Sequence, residues 1–272
     1  MLSQRVKAAF IFVPLILIFI FIGGWAFNAF IAIVLLLAVV EYQQICQNFS
    51  YNFPTPILLL GVLLFIIQRW FFVDQYLGLV LTAVITSTAL TALVQYEQGE
   101  SKAALNFALL LSGILYLGWV GTAIIPFRAL PTGRGWVLTA LPSVWLADSG
   151  AYSIGRRWGK AKMSPKISPN KTWLGFAAAV LTGTISGLLL VLLLRWIKFL
   201  PPDTPMWQGA IMGLTLSILT PIGDLWVSLF KRTANLKDTG SLIPGHGGVL
   251  DRIDTWIWAA LLGYYLVLLF RV

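Results

Sequence analysis

Residues Ser228 to Asp254 read SLFKRTANLKDTGSLIPGHGGVLDRID and gather polar chemistry into one short stretch of a very apolar chain. Four Lys/Arg, three Asp, the single His of the chain and a Pro-Gly-His-Gly-Gly turn lie between two apolar runs. Cations can neutralise phosphate, carboxylates can hold a hard metal ion, and glycines let the backbone approach a phosphate or base closely. Together they point to a polyphosphate bound through a metal ion.

The carboxylates sharpen this expectation. Asp224 follows Pro221 and Gly223, which can bend a helix at membrane depth. Ser228 and Lys231 lie four and seven residues further on, so the three share a helix face. Asp251 and Asp254 are three apart and share a face once the last helix has begun. One of them is accounted for as a helix cap; a flanking pair around Arg252, approached by glycines, points to metal ligation. Asp148 sits inside the apolar run LPSVWLADSGAYSIG, where a charge costs about 2.5–3.5 kcal/mol and such side chains usually face a cavity; packing as a protonated or hydrogen-bonded residue is the alternative. Oxygen-only ligands suit Mg²⁺, which takes one or two carboxylates plus phosphates and waters. One His and one Cys do not make a zinc site.

A second basic stretch, Arg156–Lys171, contains six Lys/Arg. As a minimum it is an anchor to anionic lipid. Ser168-Pro169-Asn170-Lys171-Thr172 leads into an apolar run whose helical N-terminus can bind an anion, with Lys171 and Thr172 as the residues to meet it. The Gly155–Ala161 stretch is not a P-loop: its spacing is one residue short and no Ser/Thr follows Lys160. His246 is expected either to stabilise its turn or to contact nucleotide.

These segments need helices to carry them. Apolar residues make up 58% of the 272 and charged residues 11%, against about 25% charged in soluble domains. The runs are continuous rather than alternating, which excludes a β-barrel and predicts an all-α polytopic membrane protein. Nine spans are expected, near 8–22, 26–45, 56–73, 76–94, 103–125, 136–154, 173–195, 206–230 and 255–271. Arg5 and Lys7 precede the first, and no small-x-small cleavage site follows it, so it reads as a retained span. Thirteen of the nineteen Lys/Arg fall on one side if the N-terminus is cytoplasmic. That orientation puts loops 155–172 and 231–254 on the cytoplasmic side, where they can face each other over one pocket. Residues 1–130 read as scaffold and 131–272 as the catalytic region. Cys46 is alone, so no internal disulfide forms. The net charge of +9 suggests anionic partners.

The 228–254 segment resembles the signature of phosphatidate cytidylyltransferases, S-x2-K-R-x4-K-D-x5-P-G-H-G-G-x2-D-R-x-D. All thirteen fixed positions match: Ser228, Lys231, Arg232, Lys237, Asp238, Pro244, Gly245, His246, Gly247, Gly248, Asp251, Arg252 and Asp254. Asp148, Gly155, Arg156, Gly159 and Ser168-Pro169-x-Lys171-Thr172 are also similar to that family. One departure is Leu174, where relatives often carry Glu. The resemblance implies transfer of CMP from CTP to phosphatidic acid with Mg²⁺, giving CDP-diacylglycerol and pyrophosphate.

Taken with the reading of the residues, the expected roles are that Asp224, Asp251 and Asp254 hold or orient the metal, and that Lys231, Arg232, Lys237 and Arg252 contact phosphates. Asp238 partners Lys237 or acts as a further ligand. Asp148 forms the pocket floor. Ser168, Lys171, Thr172, Ser228, Gly245, His246, Gly247 and Gly248 line the substrates. The partners expected are CTP, phosphatidic acid and the bilayer of the cell's inner or plasma membrane; a homodimer is allowed and nucleic acid is not expected. The rival readings are a CTP-dependent polyprenol or phytol kinase and an ion-coupled transporter. The kinase would need a base for a neutral hydroxyl. The transporter is disfavoured by the lack of paired repeats.

Overall fold

The computed structural model describes residues 14–49, 51, 53–240 and 247–270. Its helices, in chain order, are α1 (14–22), α2 (Gly24–Asn48), α3 (Thr55–Phe72) and α4 (Leu77–Glu97), then α5 (Ala103–Ala129). After these come α6 (Gly133–Trp158), the strands β1 (Lys162–Ser164) and β2 (Ser168–Thr172), α7 (Trp173–Trp196), α8 (Met206–Leu219), α9 (Pro221–Thr233) and α10 (Leu250–Phe270).

Seven helices among the described residues are long and apolar enough to cross a membrane: α2, α3, α4, α5, α7, α8 continued by α9, and α10. They correspond to seven of the nine expected spans. The span expected at 136–154 is a helix, α6, which runs through Pro142 to Trp158. Asp148, Arg156, Arg157 and its small polar residues leave it less apolar than the seven. Of the span expected at 8–22, residues 14–22 are helical and 8–13 lie outside the described residues.

The chain divides into two compact units, Met1–Pro126 with Thr233–Asp251, and Phe127–Arg232 with Arg252–Val272. In the first unit, glycines bring helices to backbone contact. A side chain at Gly61 would strike Ile114, one at Gly113 would strike Tyr42, and one at Gly118 would strike Phe65. Between these contacts α5 widens into a π-helical stretch at Ile114–Val120, then tightens to a 3₁₀ turn at Gly121–Ala123. Tyr42 donates its hydroxyl to the Leu109 carbonyl at 2.8 Å. In α4 only Val84 and Thr88 are buried, as suits a helix surrounded by lipid, where apolar side chains need no protein cover.

In the second unit, α7 packs between α6 and α8. A side chain on Gly187 would strike the Gly209 carbonyl, and one on Gly213 would strike the Gly183 carbonyl. Small residues four apart let membrane helices approach this closely, and the gain is dispersion and packing rather than hydrophobic burial. Gly150 of α6 meets Thr182 of α7 in the same way. β1 and β2 form an antiparallel hairpin, with Lys162 opposite Thr172 and Ser164 opposite Ser168. The basic stretch after α6 is therefore folded back into a hairpin rather than left as open loop. At the other end of α6 from the hairpin, a cavity of about 340 Å³ is lined by Trp136, Asp203, Gln208 and Phe270, among others.

Candidate active site

In the second unit, the hairpin delivers Lys171 and Thr172 to the start of α7. Thr172 is the N-cap: its Oγ1 accepts from the Gly175 N–H at 3.1 Å, satisfying one orphan donor of the first turn. The residue is buried among Gly155, Gly159 and Gly175, since a side chain on any of these would press on its Oγ1. These glycines hold the end of α6 against the head of α7. Asp148 lies two turns before Gly155 on the same face of α6.

The cap fixes the direction of its neighbour. Lys171 Nζ lies 2.6 Å from Asp224 Oδ2, with both side chains about one-third exposed. Asp224 stands in the first turn of α9, where the helix dipole favours a carboxylate. Its other oxygen accepts from Ser228 Oγ at 3.3 Å, so the 224–228 face expected from sequence is formed. Asp148 is within electrostatic range of both Lys171 and Asp224. Of the two carboxylates, Asp224 makes the ion pair with the Lys171 ammonium. Arg232 donates from Nε to the Ile167 carbonyl at 3.3 Å, tying α9 to the hairpin turn. Lys231 is buried.

Gly223, beside Asp224, is pressed against α10. A side chain there would strike the Asp254 carbonyl and come within 2.5 Å of Trp258 Cδ1. This contact joins the helices that carry Asp224 and Asp254. Asp254 is buried, and its Oδ1 accepts from the Thr255 N–H at 2.7 Å. Arg252 is exposed on the same helix.

The first unit holds the rest of the signature. α10 begins at Leu250, so Asp251 lies in its first turn. Asp251 Oδ2 accepts from Thr239 N at 2.8 Å, Thr239 Oγ1 at 3.0 Å and Gly248 N at 3.2 Å. Its visible work is to tie the two ends of the glycine segment to the helix start. Lys237 and Asp238 are exposed nearby in the chain. Gly247 has φ +80°, and an added side chain would come within 2.7 Å of Asp251 Oδ2 and 3.1 Å of Asp238 Cβ; both its backbone and its space call for glycine. Pro244, Gly245 and His246 lie outside the described residues. Among the described residues, no three His, Cys, Asp or Glu side chains converge as a ready-made metal cage.

Leu174 is exposed in the first turn of α7, which contains no acidic residue. The residue that sequence reasoning missed is Glu41, buried in α2 and bonded to Thr239, Val249 and Leu250. The signal was available: it is the only acidic residue before Asp74 and falls inside an apolar span.

Residues 3–270 match the cytidylyltransferase family. A phosphatidate cytidylyltransferase of Synechocystis is 30% identical over 98% of this chain and 97% of its own length. That of Brucella melitensis is 32% identical over 97% and 92%. That of Bacillus subtilis is 37% identical over a shorter stretch, 57% of this chain. The chain belongs to the cytidylyltransferase family.

Proposed function

We propose that this protein transfers CMP from CTP to phosphatidate, releasing pyrophosphate and leaving CDP-diacylglycerol in the bilayer. Near-full-length similarity to phosphatidate cytidylyltransferases supports the reaction. The Lys171–Asp224 pair at the head of two helices is the structural observation that carries the site.

The chemistry asks little of a base. A phosphatidate oxygen, already anionic at neutral pH, attacks the α-phosphorus of CTP. The new O–P bond forms as the bond to the β-phosphate oxygen breaks, and pyrophosphate leaves with the electron pair. What must be supplied is alignment and relief of repulsion between two polyanions. Lys171 and the signature cations Lys231, Arg232, Lys237 and Arg252 stabilise phosphate charge, most of all on the departing pyrophosphate. Asp224 holds the Lys171 ammonium in place, and Asp148 forms the pocket floor. Ser228 steadies Asp224. Thr172 positions Lys171 by capping α7, with Ser168 at the other end of β2. Asp238 partners Lys237.

The donor set fits Mg²⁺: its oxygens are carboxylates, and one or two suffice for an ion that takes its remaining ligands from substrate phosphates and water. Asp224 and Asp254, on helices in backbone contact at Gly223, would hold the ion. Asp251, whose Oδ2 is engaged by three donors of the chain, holds Thr239 and Gly248 in place, and Gly245, His246, Gly247 and Gly248 are the residues to meet the nucleotide. The ion would supply positive charge to neutralise the phosphates.

The apolar runs support the nine-span topology, and the Lys/Arg distribution supports a cytoplasmic N-terminus. In this arrangement CTP arrives from the cytosol and phosphatidate from within the inner or plasma membrane. The deciding experiment incubates the purified protein with CTP, phosphatidate and Mg²⁺ and weighs the lipid product. A mass gain of one cytidylyl group (CMP less a water), with one pyrophosphate released, is expected. Transfer of label from the γ-phosphate of CTP to a lipid would mark a kinase instead and overturn this reading.

A further inference from the structure

Glu41 is 1% exposed in α2, among apolar side chains. Its Oε1 accepts from Val249 N at 2.8 Å, and its Oε2 accepts from Leu250 N at 2.9 Å and from Thr239 Oγ1 at 2.9 Å. A carboxylate buried in such surroundings persists only where donors compensate its desolvation. All three donors come from the segment that carries the signature, about 200 residues away in sequence. Val249 and Leu250 sit at the start of α10, where backbone N–H groups have no partner within the helix. A distant helix thus does the work of a cap.

The clasp is specific in shape. A side chain on Gly240 would come within 2.8 Å of Glu41 Oε1, and one on Gly248 would strike Glu41 and Thr239. Both ends of the glycine segment are therefore moulded to this carboxylate. Thr239 Oγ1 also lies 3.0 Å from Asp251 Oδ2. A hydroxyl has one proton to give, so Thr239 serves one carboxylate at a time, while backbone N–H groups of Thr239 and Gly248 hold Asp251 and those of Val249 and Leu250 hold Glu41.

We infer that Glu41 is a positioning residue for the cytidylyl-transfer reaction: through Thr239 and the first turn of α10 it sets the positions of Gly248 and Asp251. The inference rests on the reaction proposed above and on the role given there to the glycine segment. It assigns Glu41 no contact with substrate.

The test uses full-length purified protein with CTP and phosphatidate, and scores turnover per folded, monodisperse molecule. Glu41→Gln keeps the size, but its amide has one acceptor oxygen and turns an N–H₂ toward a donor. Misplacement of a reacting geometry by about 1 Å can cost 100-fold, so kcat/KM for CTP is expected to fall roughly 10- to 100-fold. The KM for phosphatidate stays near that of the unaltered protein. Backbone amides of Val249 and Leu250 exchange hydrogen faster. Thr239→Val reproduces the direction of the effect, and Thr239→Ser, which restores the hydroxyl, recovers most of the loss. Folded Glu41→Gln protein with undiminished kcat/KM for CTP overturns the inference. If that variant does not fold, the Thr239 pair decides: equal activity of the Val and Ser variants overturns it. Failure of the unaltered protein to make CDP-diacylglycerol sinks the reaction itself, in an arm that contains no variant.

Discussion

Lys171 and Asp224, 53 residues apart in sequence, meet at 2.6 Å between Nζ and Oδ2. Neither residue lies deep in a helix. Lys171 is the last residue of β2 before the α7 cap, and Asp224 stands in the first turn of α9. Two helix beginnings are thus joined by a charge pair on the side of the second unit where the signature cations of α9 also lie. Partly exposed pairs of this kind contribute about 0–1 kcal/mol to stability. Losing the pair should therefore cost the fold little, so an effect on turnover can be read apart from one on stability.

Asp224→Asn and Lys171→Met are accordingly expected to lower turnover by about 100-fold or more, as removal of an electrostatic catalytic group does, with little change in melting temperature. Because the two side chains work as one unit, the double variant loses much less than the product of the single losses. Rates of the four proteins in a double-mutant cycle check this. Strict additivity would separate the two residues functionally.

Thr172 gives a contrasting outcome. Loss of an N-cap costs about 1 kcal/mol, and the hydroxyl is also packed against three glycines. Thr172→Ala should lower the melting temperature in detergent and reduce activity by misdirecting Lys171. Thr172→Ser, which keeps the cap, should restore both. Thermal unfolding and turnover measured side by side distinguish the cap from a direct substrate contact, which would lower activity alone.

Asp251→Asn should lower turnover by about 100-fold, since a displacement of about 1 Å in the groups it holds can cost that much. Asparagine can still accept through one oxygen, so folding should survive, which circular dichroism and gel filtration verify. Near-normal turnover of the folded variant would count against the role given to the glycine segment.

The motif and the helical class were legible because their signals are local. Apolar runs near span length mark membrane helices, and thirteen fixed positions within 27 residues mark the signature. The 224–228 face followed from helical period and was formed. The start of α10 at Leu250 also answered a question that spacing left open, placing Asp251 and Asp254 within one helix. What stayed hidden depends on long-range contacts. No local pattern tells that Lys171 reaches Asp224, that a π-helical stretch interrupts α5, or that Glu41 caps a helix near the other end of the chain. Glu41 sat in a region dismissed as scaffold because polar groups are sparse there; that sparseness was itself the clue.

The glycines of α7 and α8 are expected to be intolerant of size. Gly187→Leu would drive a side chain into the Gly209 carbonyl, and the backbone cannot move aside as a flexible side chain can. Separating helices whose packing rests on close approach should yield protein that aggregates on detergent extraction. Gly78→Leu, with open space at its Cβ position, should extract normally. Size-exclusion profiles of the two variants check the contrast.

Metal dependence is the last expectation. If the carboxylates of Asp224 and Asp254 serve a hard cation, EDTA should abolish CDP-diacylglycerol formation and excess Mg²⁺ should restore it. Zn²⁺ should not substitute, because the oxygen-only donor set lacks the nitrogen and sulfur ligands zinc prefers. Asp254→Asn should raise the Mg²⁺ concentration needed for half-maximal rate, whereas Asp251→Asn should lower the maximal rate with less effect on that concentration. Titration of Mg²⁺ against initial rate for the two variants reads the difference directly. The opposite pattern would move the metal contact from Asp254 to Asp251.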